Sequence, residues 1–202
     1  MTTDHKFWKS RFAAEGLGIR TVGRHDRSVE QNKSDYAIAA ECFKTYVKTD
    51  IVESDRKSAL ELGYGLGHYA KLCHSLGFVN YVGLDFAAPP GPPLGANYVY
   101  RQGDVGEHFD LGRTFDLVMA IDVLFHITDD LRFEVALENI RRHASGVIYV
   151  TGIPEDRRIA AHVVHRELDR FRSLGTLIGV SHWRDTSIMR FRVNSQKLLG
   201  ES

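Results

Sequence analysis

The run Phe115-Asp116-Leu117-Val118-Met119-Ala120-Ile121 constrains this chain more than any other segment. It is apolar almost throughout. A strand with one wet face alternates apolar and polar residues, so a continuous run calls for burial on both faces and a place at the centre of a sheet. Such a sheet must carry helices above and below, which makes the class α/β. The neighbouring segments keep that rhythm. Ala59 to Leu62, Val79 to Asp85, Tyr98 to Arg101 and Val147 to Val150 read as short strands. Tyr69, Leu72, Cys73 and Leu76 share one helical face closed by Gly77, and Phe133, Ala136, Leu137, Ile140 and Ala144 share another, with Thr128 as cap and Ser145-Gly146 as stop. Between the second and third strands, Ala87 to Gly95 holds four prolines, so a loop is expected where a βαβ unit would place a helix.

Both ends of the chain add to this core. Trp8 and Phe12 suggest a short helix from Lys6 to Glu15, ended by Gly16-Leu17-Gly18. After a polar stretch, Ser34 can cap a helix with Ala39, Cys42, Phe43 and Tyr46 on one face, before the break Glu53 to Lys57. These helices suggest an N-terminal extension or lid over residues 1–50 and a core over 51–202. Beyond Pro154, the spacing of Ala160, Val164, Leu168 and Phe171 predicts a helix stopped by Gly175. Thr176 to Trp183 and Ile188 to Val193, separated only by Arg184 to Ser187, read as an antiparallel hairpin. The strands number seven, giving a mostly parallel sheet with a reversed C-terminal hairpin and helices on both faces.

Composition narrows the function classes. A chain of 202 residues allows one domain with a modest extension. Lys+Arg and Asp+Glu both number 26, so no global positive field gathers polyanions, and nucleic acid is disfavoured as a partner. Cys42 and Cys73 fall at apolar helical positions, as small core residues would in a reducing cytoplasm. No apolar segment follows the first residues, and Leu117 to Ile121 is far too short to span a bilayer. The expected partner is a small molecule in the cytoplasm, with a homodimer left open.

The candidate site lies at Glu61-Leu62-Gly63-Tyr64-Gly65-Leu66-Gly67, where a strand turns into a helix. Missing Cβ atoms there let backbone approach a ligand beside a helix N-terminus, as in nucleotide sites. Taken alone, Gly65-Leu66-Gly67-His68-Tyr69-Ala70 also fits the dinucleotide pattern G-x-G-x-x-A, with Asp85 to hold a ribose, so an NAD-dependent oxidoreductase stays open. The alternate glycines behind Glu61, followed by Tyr81-Val82-Gly83-Leu84-Asp85, Gly103-Asp104-Val105, and Phe115 to Val118 with Asp122-Val123-Leu124-Phe125-His126, resemble the ordered motifs of class I S-adenosylmethionine-dependent methyltransferases of the small-molecule type. The resemblance runs from about Ser58 to Val193.

That resemblance implies S-adenosyl-L-methionine as cofactor and S-adenosyl-L-homocysteine as product. It implies cofactor contacts from Glu61, Gly63, Tyr64, Gly65, Gly67, Asp85, Phe86, Asp104, Val105 and Ile121. Asp85 would take both ribose hydroxyls, and the segment at Asp104 would meet the adenine. Asp122 and His126 follow the fourth strand and are the candidates for proton acceptance or substrate orientation. The turn also departs from the family: Tyr64 replaces a small residue, and its ring either faces the sulfonium or packs beneath the turn. No Asn-Pro-Pro-Tyr-like segment follows the fourth strand, which disfavours nucleic-acid adenine methylation. A cofactor-binding module without turnover is the alternative within the same fold. Ten histidines, with His162 and His165 three apart and His182 downstream, raise a metal site, but no carboxylate completes a ligand spacing, so no metal is expected and His162 and His165 read as pocket-lining candidates. Arg157, Arg158, Arg166, Arg170 and Arg172 read as a solvated helix face.

Overall fold

The computed structural model of the chain describes residues 3–16, 18–51 and 57–194. Its core is a seven-stranded sheet in the order β3-β2-β1-β4-β5-β9-β8. The strands are β1 (Lys57–Leu62), β2 (Phe78–Asp85), β3 (Tyr98–Gln102), β4 (Phe115–Ala120), β5 (Ala144–Gly152), β8 (Thr176–Trp183) and β9 (Thr186–Arg192). The first five run parallel, and the last two form an antiparallel hairpin whose β9 pairs with β5. β4 is central, as its apolar run requires.

Alternation along the buried strands separates two cores. Leu60, Leu62, Val118, Ala120, Ile148 and Val150 face one side, where α5 (Asp130–His143) adds Phe133, Ala136, Leu137 and Ile140. Ala59, Leu117, Met119, Val147 and Tyr149 face the other, where α3 (Val29–Asp50) and α4 (His68–Ser75) supply Phe43, Val47, Tyr69 and Cys73. α3 is thus part of the core. The helices that stand apart from it are α1 (Thr3–Glu15) and α2 (Ile19–Val22). Among the described residues no helix is long and apolar enough to cross a membrane.

Several local expectations are corrected. α3 is capped six residues before Ser34, because Ser28 and Gln31 form a reciprocal capping box: the Ser28 hydroxyl accepts from the Gln31 N–H at 3.0 Å and the Ser28 N–H donates to the Gln31 side chain at 2.8 Å. Asp129, not Thr128, caps α5. Ser145-Gly146 is no helix stop but part of β5, and Gly146 is required there since a Cβ would lie 2.4 Å from the carbonyl oxygen of Asp116. The break at Glu53 to Lys57 falls, except for Lys57, outside the described residues, as does Leu17. The proline loop is as expected, with no helix between β2 and β3.

The largest correction follows Pro154. The predicted helix is instead a hairpin of β6 (Arg157–Ala160) and β7 (Val163–His165), followed by a 3-10 segment at Leu168–Leu174. β-branched Ile159, Val163 and Val164 favour extended backbone over a helix. The helical spacing survives only in its last member, Phe171, which is buried together with Leu174. Arg166 is not on a solvated face: it is 3% exposed, with its guanidinium 3.9 Å from the Phe133 ring centroid and donating to the Ile127 carbonyl at 2.9 Å. Arg172 does face solvent.

One buried polar cluster ties α3 to the C-terminal hairpin. The Asp50 carboxylate accepts from Tyr149 Oη at 2.9 Å and from Arg190 Nη1 at 2.7 Å, while Arg192 donates to the Asp50 carbonyl at 3.0 Å. Truncating one member of a buried pair leaves the other charge unmatched, at a cost of about 3–5 kcal/mol. Asp50→Ala should lose stability of about that size in urea unfolding, whereas Tyr149→Phe, which deletes one donor to the carboxylate and leaves the ion pair, should lose about 1.5–3 kcal/mol.

Candidate active site

A cavity of about 460 Å³ opens at the carboxyl edge of the parallel strands. Crevices form there because the loops leave neighbouring strand ends in opposite directions. Its floor is the turn between β1 and α4. Gly63, Gly65 and Gly67 have φ of +81°, +48° and +67°, a region open to glycine at no steric cost. A Cβ on Gly63 would lie 2.3 Å from Val123 Cγ2, whereas one on Gly65 would meet only Val22, at 3.4 Å. The open side of Gly65 is therefore the side on which a ligand could approach. Gly67 serves differently: it lies behind the turn, caps α4, and is crowded by Tyr100 and Pro90 rather than lining the cavity.

Asp85, at the end of β2, accepts from the Gly65 N–H and the Ala87 N–H, both at 2.9 Å. Burial pushes its carboxyl pKa up, and the backbone donors pull the other way. The residue lines the cavity. Tyr64 packs beneath the turn: it is 2% exposed, donates to the Ala87 carbonyl at 2.8 Å, and fills the space left by Gly83, whose Cβ would lie 2.8 Å from the ring. Glu61 is buried and accepts from the Tyr81 hydroxyl, and desolvation pushes its pKa up to about 8.

At the far end of the cavity stand Phe86, Asp104, Val105 and Ile121. The Asp104 carboxylate is paired with Arg132 of α5, at 2.7 Å for one oxygen, and accepts the Gly106 N–H at 2.8 Å. Asp122, just past β4, has φ +57°, held by Thr151, whose hydroxyl accepts the Asp122 N–H at 2.6 Å and donates to the carboxylate at 3.1 Å. Arg184, from the β8–β9 turn, donates to the other carboxylate oxygen at 2.5 Å while its guanidinium lies 4.5 Å from the Tyr36 ring centroid. Burial raises the Asp122 pKa, and Arg184 and Thr151 oppose that shift.

His126 closes a 3-10 turn at Leu124–His126 and lines the cavity. Its Nδ1 lies 3.0 Å from the carbonyl oxygen of His162 in the β6–β7 turn. A carbonyl only accepts, so Nδ1 carries the proton and Nε2 keeps its lone pair. Burial drives the His126 pKa down to about 3, so the ring stays neutral. His162 and His165 themselves do not line the cavity: one supplies that carbonyl, and the other accepts the Ile153 N–H at 3.0 Å.

No protein-family model matches the sequence, and no curated protein matches it. Solved structures do match. The N-methyltransferase NodS of Bradyrhizobium japonicum WM9, crystallised with S-adenosyl-L-homocysteine, superposes with TM-score 0.69 at 14% identity over 95% of this chain and 99% of that one. Magnesium protoporphyrin IX methyltransferase ChlM of Synechocystis PCC 6803, with bound SAM, gives 0.66 at 12% identity over 96% and 99%. An O-methyltransferase family protein of Burkholderia thailandensis gives 0.63 at 14% over 94% and 63%. The chain has the class I methyltransferase fold. The methyltransferase order, five parallel strands and then a reversed hairpin, leaves no second mononucleotide half of the kind a dinucleotide dehydrogenase uses.

In this fold the cavity brings together every candidate residue except Gly67, His162 and His165. Sequence reasoning missed the opposite wall, made by Trp8, Phe12, Lys33 and Tyr36 of the N-terminal helices and by His68, Tyr69 and Lys71 of α4. The aromatic pair at spacing four in α1 was visible, but nothing local says what it faces. Arg184 was also missed, since a turn arginine carries no signal for the partner it meets across the sheet.

Two shifted groups that line the cavity act in opposite directions. Glu61, raised from 4.5 to about 8, favours the folded state fully below pH 4.5, and that contribution is lost as pH rises to 8. His126, lowered from 6.5 to about 3, favours it above pH 6.5, and that contribution is lost as pH falls toward 3. Between pH 6.5 and 8 only Glu61 changes. Urea unfolding should therefore show the wild-type protein losing stability across that interval relative to Glu61→Gln; equal slopes for the two would contradict the burial of an unneutralised acid there.

Proposed function

We propose that the chain is an S-adenosylmethionine-dependent methyltransferase that modifies a small molecule at oxygen or nitrogen. The observation that carries this reading is the convergence, in one cavity, of the glycine turn, the Asp85 carboxylate, and Asp122 and His126 past β4. Related folds crystallised with the cofactor or its product support it.

The residues present suit the cofactor. Gly65 leaves open space for backbone approach, and Asp85 can accept from a ribose diol. Phe86, Val105 and Ile121 offer apolar surface to a base, with the Asp104–Arg132 pair beside them. Glu61 can meet an amino group, and Lys33 and Lys71 add positive charge for a carboxylate. His68 Nε2 and Tyr69 Oη are buried polar atoms without a protein partner, and both residues line the cavity. Bound S-adenosylmethionine supplies an electrophilic methyl on a sulfonium, so the protein's task is alignment more than activation. In this reading α1 and α2 close over the site, His126 Nε2 accepts a hydrogen bond from the nucleophile, and Asp122, fixed by Thr151 and Arg184, orients it. A histidine with pKa about 3 stores a proton poorly, so His126 steers the proton outward more than it holds it.

Calorimetry tests the reading. S-adenosyl-L-homocysteine should bind and NADH should not; the reverse pattern would end it. Capture of an amino group by Glu61 should release a proton below pH 8, making the heat depend on the buffer's ionisation enthalpy. Asp85→Asn, which retains one acceptor oxygen but no charge, should weaken binding by about 10- to 100-fold, the worth of a charge-assisted bond. With an acceptor in hand, His126→Ala should lower turnover by about 10² to 10⁴ at little change in S-adenosyl-L-homocysteine affinity, and the wild-type rate should show no acid limb near pH 6.5.

A further inference from the structure

The corner of the cavity around His126 is lined by aromatic and apolar side chains, and the Arg11 guanidinium lies beyond them, 5.3 Å from the Trp8 ring centroid and already donating to the carbonyls of Arg20 and Gly23. The Trp8 ring meets the His126 ring edge-on at 4.8 Å, Phe12 meets Phe86 at 6.1 Å, and Val123 and Ile127 complete the wall. Behind it, Phe7 stacks on His162 at 3.6 Å, and His162 lies parallel to His126 at 5.7 Å, so helix α1 and the β6–β7 turn lock the ring from both sides. The nearest acid along the chain that lines the cavity, Asp122, is already paired with Arg184. The corner therefore offers no free charge, large apolar faces, and one fixed hydrogen-bond acceptor, His126 Nε2.

Space adds a second limit. Pockets that enclose one drug-sized ligand run from about 300 to 1,000 Å³, and this one holds about 460 Å³. A nucleoside joined to an amino acid takes up most of that volume, so with α1 in place the acceptor beside it must be small.

Resting on the methyltransferase reading, we propose that the acceptor is an uncharged, flat molecule of about one ring whose O–H or N–H donates to His126 Nε2. A carboxylate would meet the Nε2 lone pair with its own and lose water, while the one guanidinium behind Trp8, that of Arg11, already donates to two carbonyls. An ammonium would find an acceptor but no free anion to offset its desolvation. A ring without a donor would leave Nε2 unpaired in a dry pocket, which selects strongly against it.

The experiment compares four probes of one size: phenol, anisole, benzoate and benzylammonium, at pH 7, against the complex with S-adenosyl-L-homocysteine. Phenol should bind at least tenfold tighter than the other three in calorimetry. Nitrogen-15 spectra should show His126 protonated at Nδ1, with phenol alone shifting the Nε2 resonance upfield. His126→Ala should erase the preference of phenol over anisole; if that variant does not fold, the wild-type probe series and spectra decide by themselves. Equal binding of phenol and anisole, a preference for benzoate or benzylammonium, no binding of any probe, or a proton on Nε2 overturns the proposal while leaving the cofactor reading intact. Failure of S-adenosyl-L-homocysteine to bind at the outset overturns both.

Discussion

A buried carboxylate organises the functional end of this molecule. Asp85 reaches from the end of β2 to the backbone N–H of Gly65 in the β1–α4 turn and of Ala87 in the β2–β3 loop, so two loops from different strands share one anchor. An acid with so little access to water is costly unless its oxygens are occupied. Backbone donors occupy part of its hydrogen-bonding capacity, and the residue lines the cavity. The same contacts that hold the turn thus prepare it to receive hydroxyl groups. Tyr64 extends the arrangement from below, joining turn to loop through the Ala87 carbonyl over the bare backbone of Gly83.

The side of the cavity formed past β4 by Asp122 and His126 obeys a different logic, since the contacts that orient them are not local in sequence. His126 owes its tautomer to a carbonyl 36 residues away, and Asp122 its orientation to Thr151 and to Arg184, which is 62 residues away. The hairpin that supplies the His162 carbonyl is itself held by Arg166, which binds the Ile127 carbonyl beside the His126 turn. Each of these contacts fixes the direction of a polar group before any ligand arrives, which lowers the ordering cost of binding.

The legibility of the sequence follows from this division. The sheet was readable because buried parallel strands show as apolar runs and because glycines and prolines mark where β1, β2 and β3 end. The β8–β9 pair was readable from its short connection and alternation. The hairpin after Pro154 was not, since Ala160, Val164, Leu168 and Phe171 satisfy a helical spacing that the β-branched residues and tertiary contacts override. Helix starts were misplaced where a serine or threonine stood near the true cap: Ser34 sits within a helix whose capping box lies at Ser28, and Thr128 precedes the capping Asp129. At the site, Asp85 and the glycines were visible through spacing, whereas Arg184, Tyr36 and the Arg132 partner of Asp104 depend on approach across the fold.

The central claim is that one cavity edge holds the nucleoside and the other presents a neutral histidine to the acceptor. A crystal structure with S-adenosyl-L-homocysteine tests it most directly. The account predicts the ribose hydroxyls within hydrogen-bond distance of the Asp85 carboxylate, the amino group toward Glu61, and the sulfur facing the His126 corner. A ligand bound with its ribose away from Asp85, or its sulfur turned from His126, would contradict it.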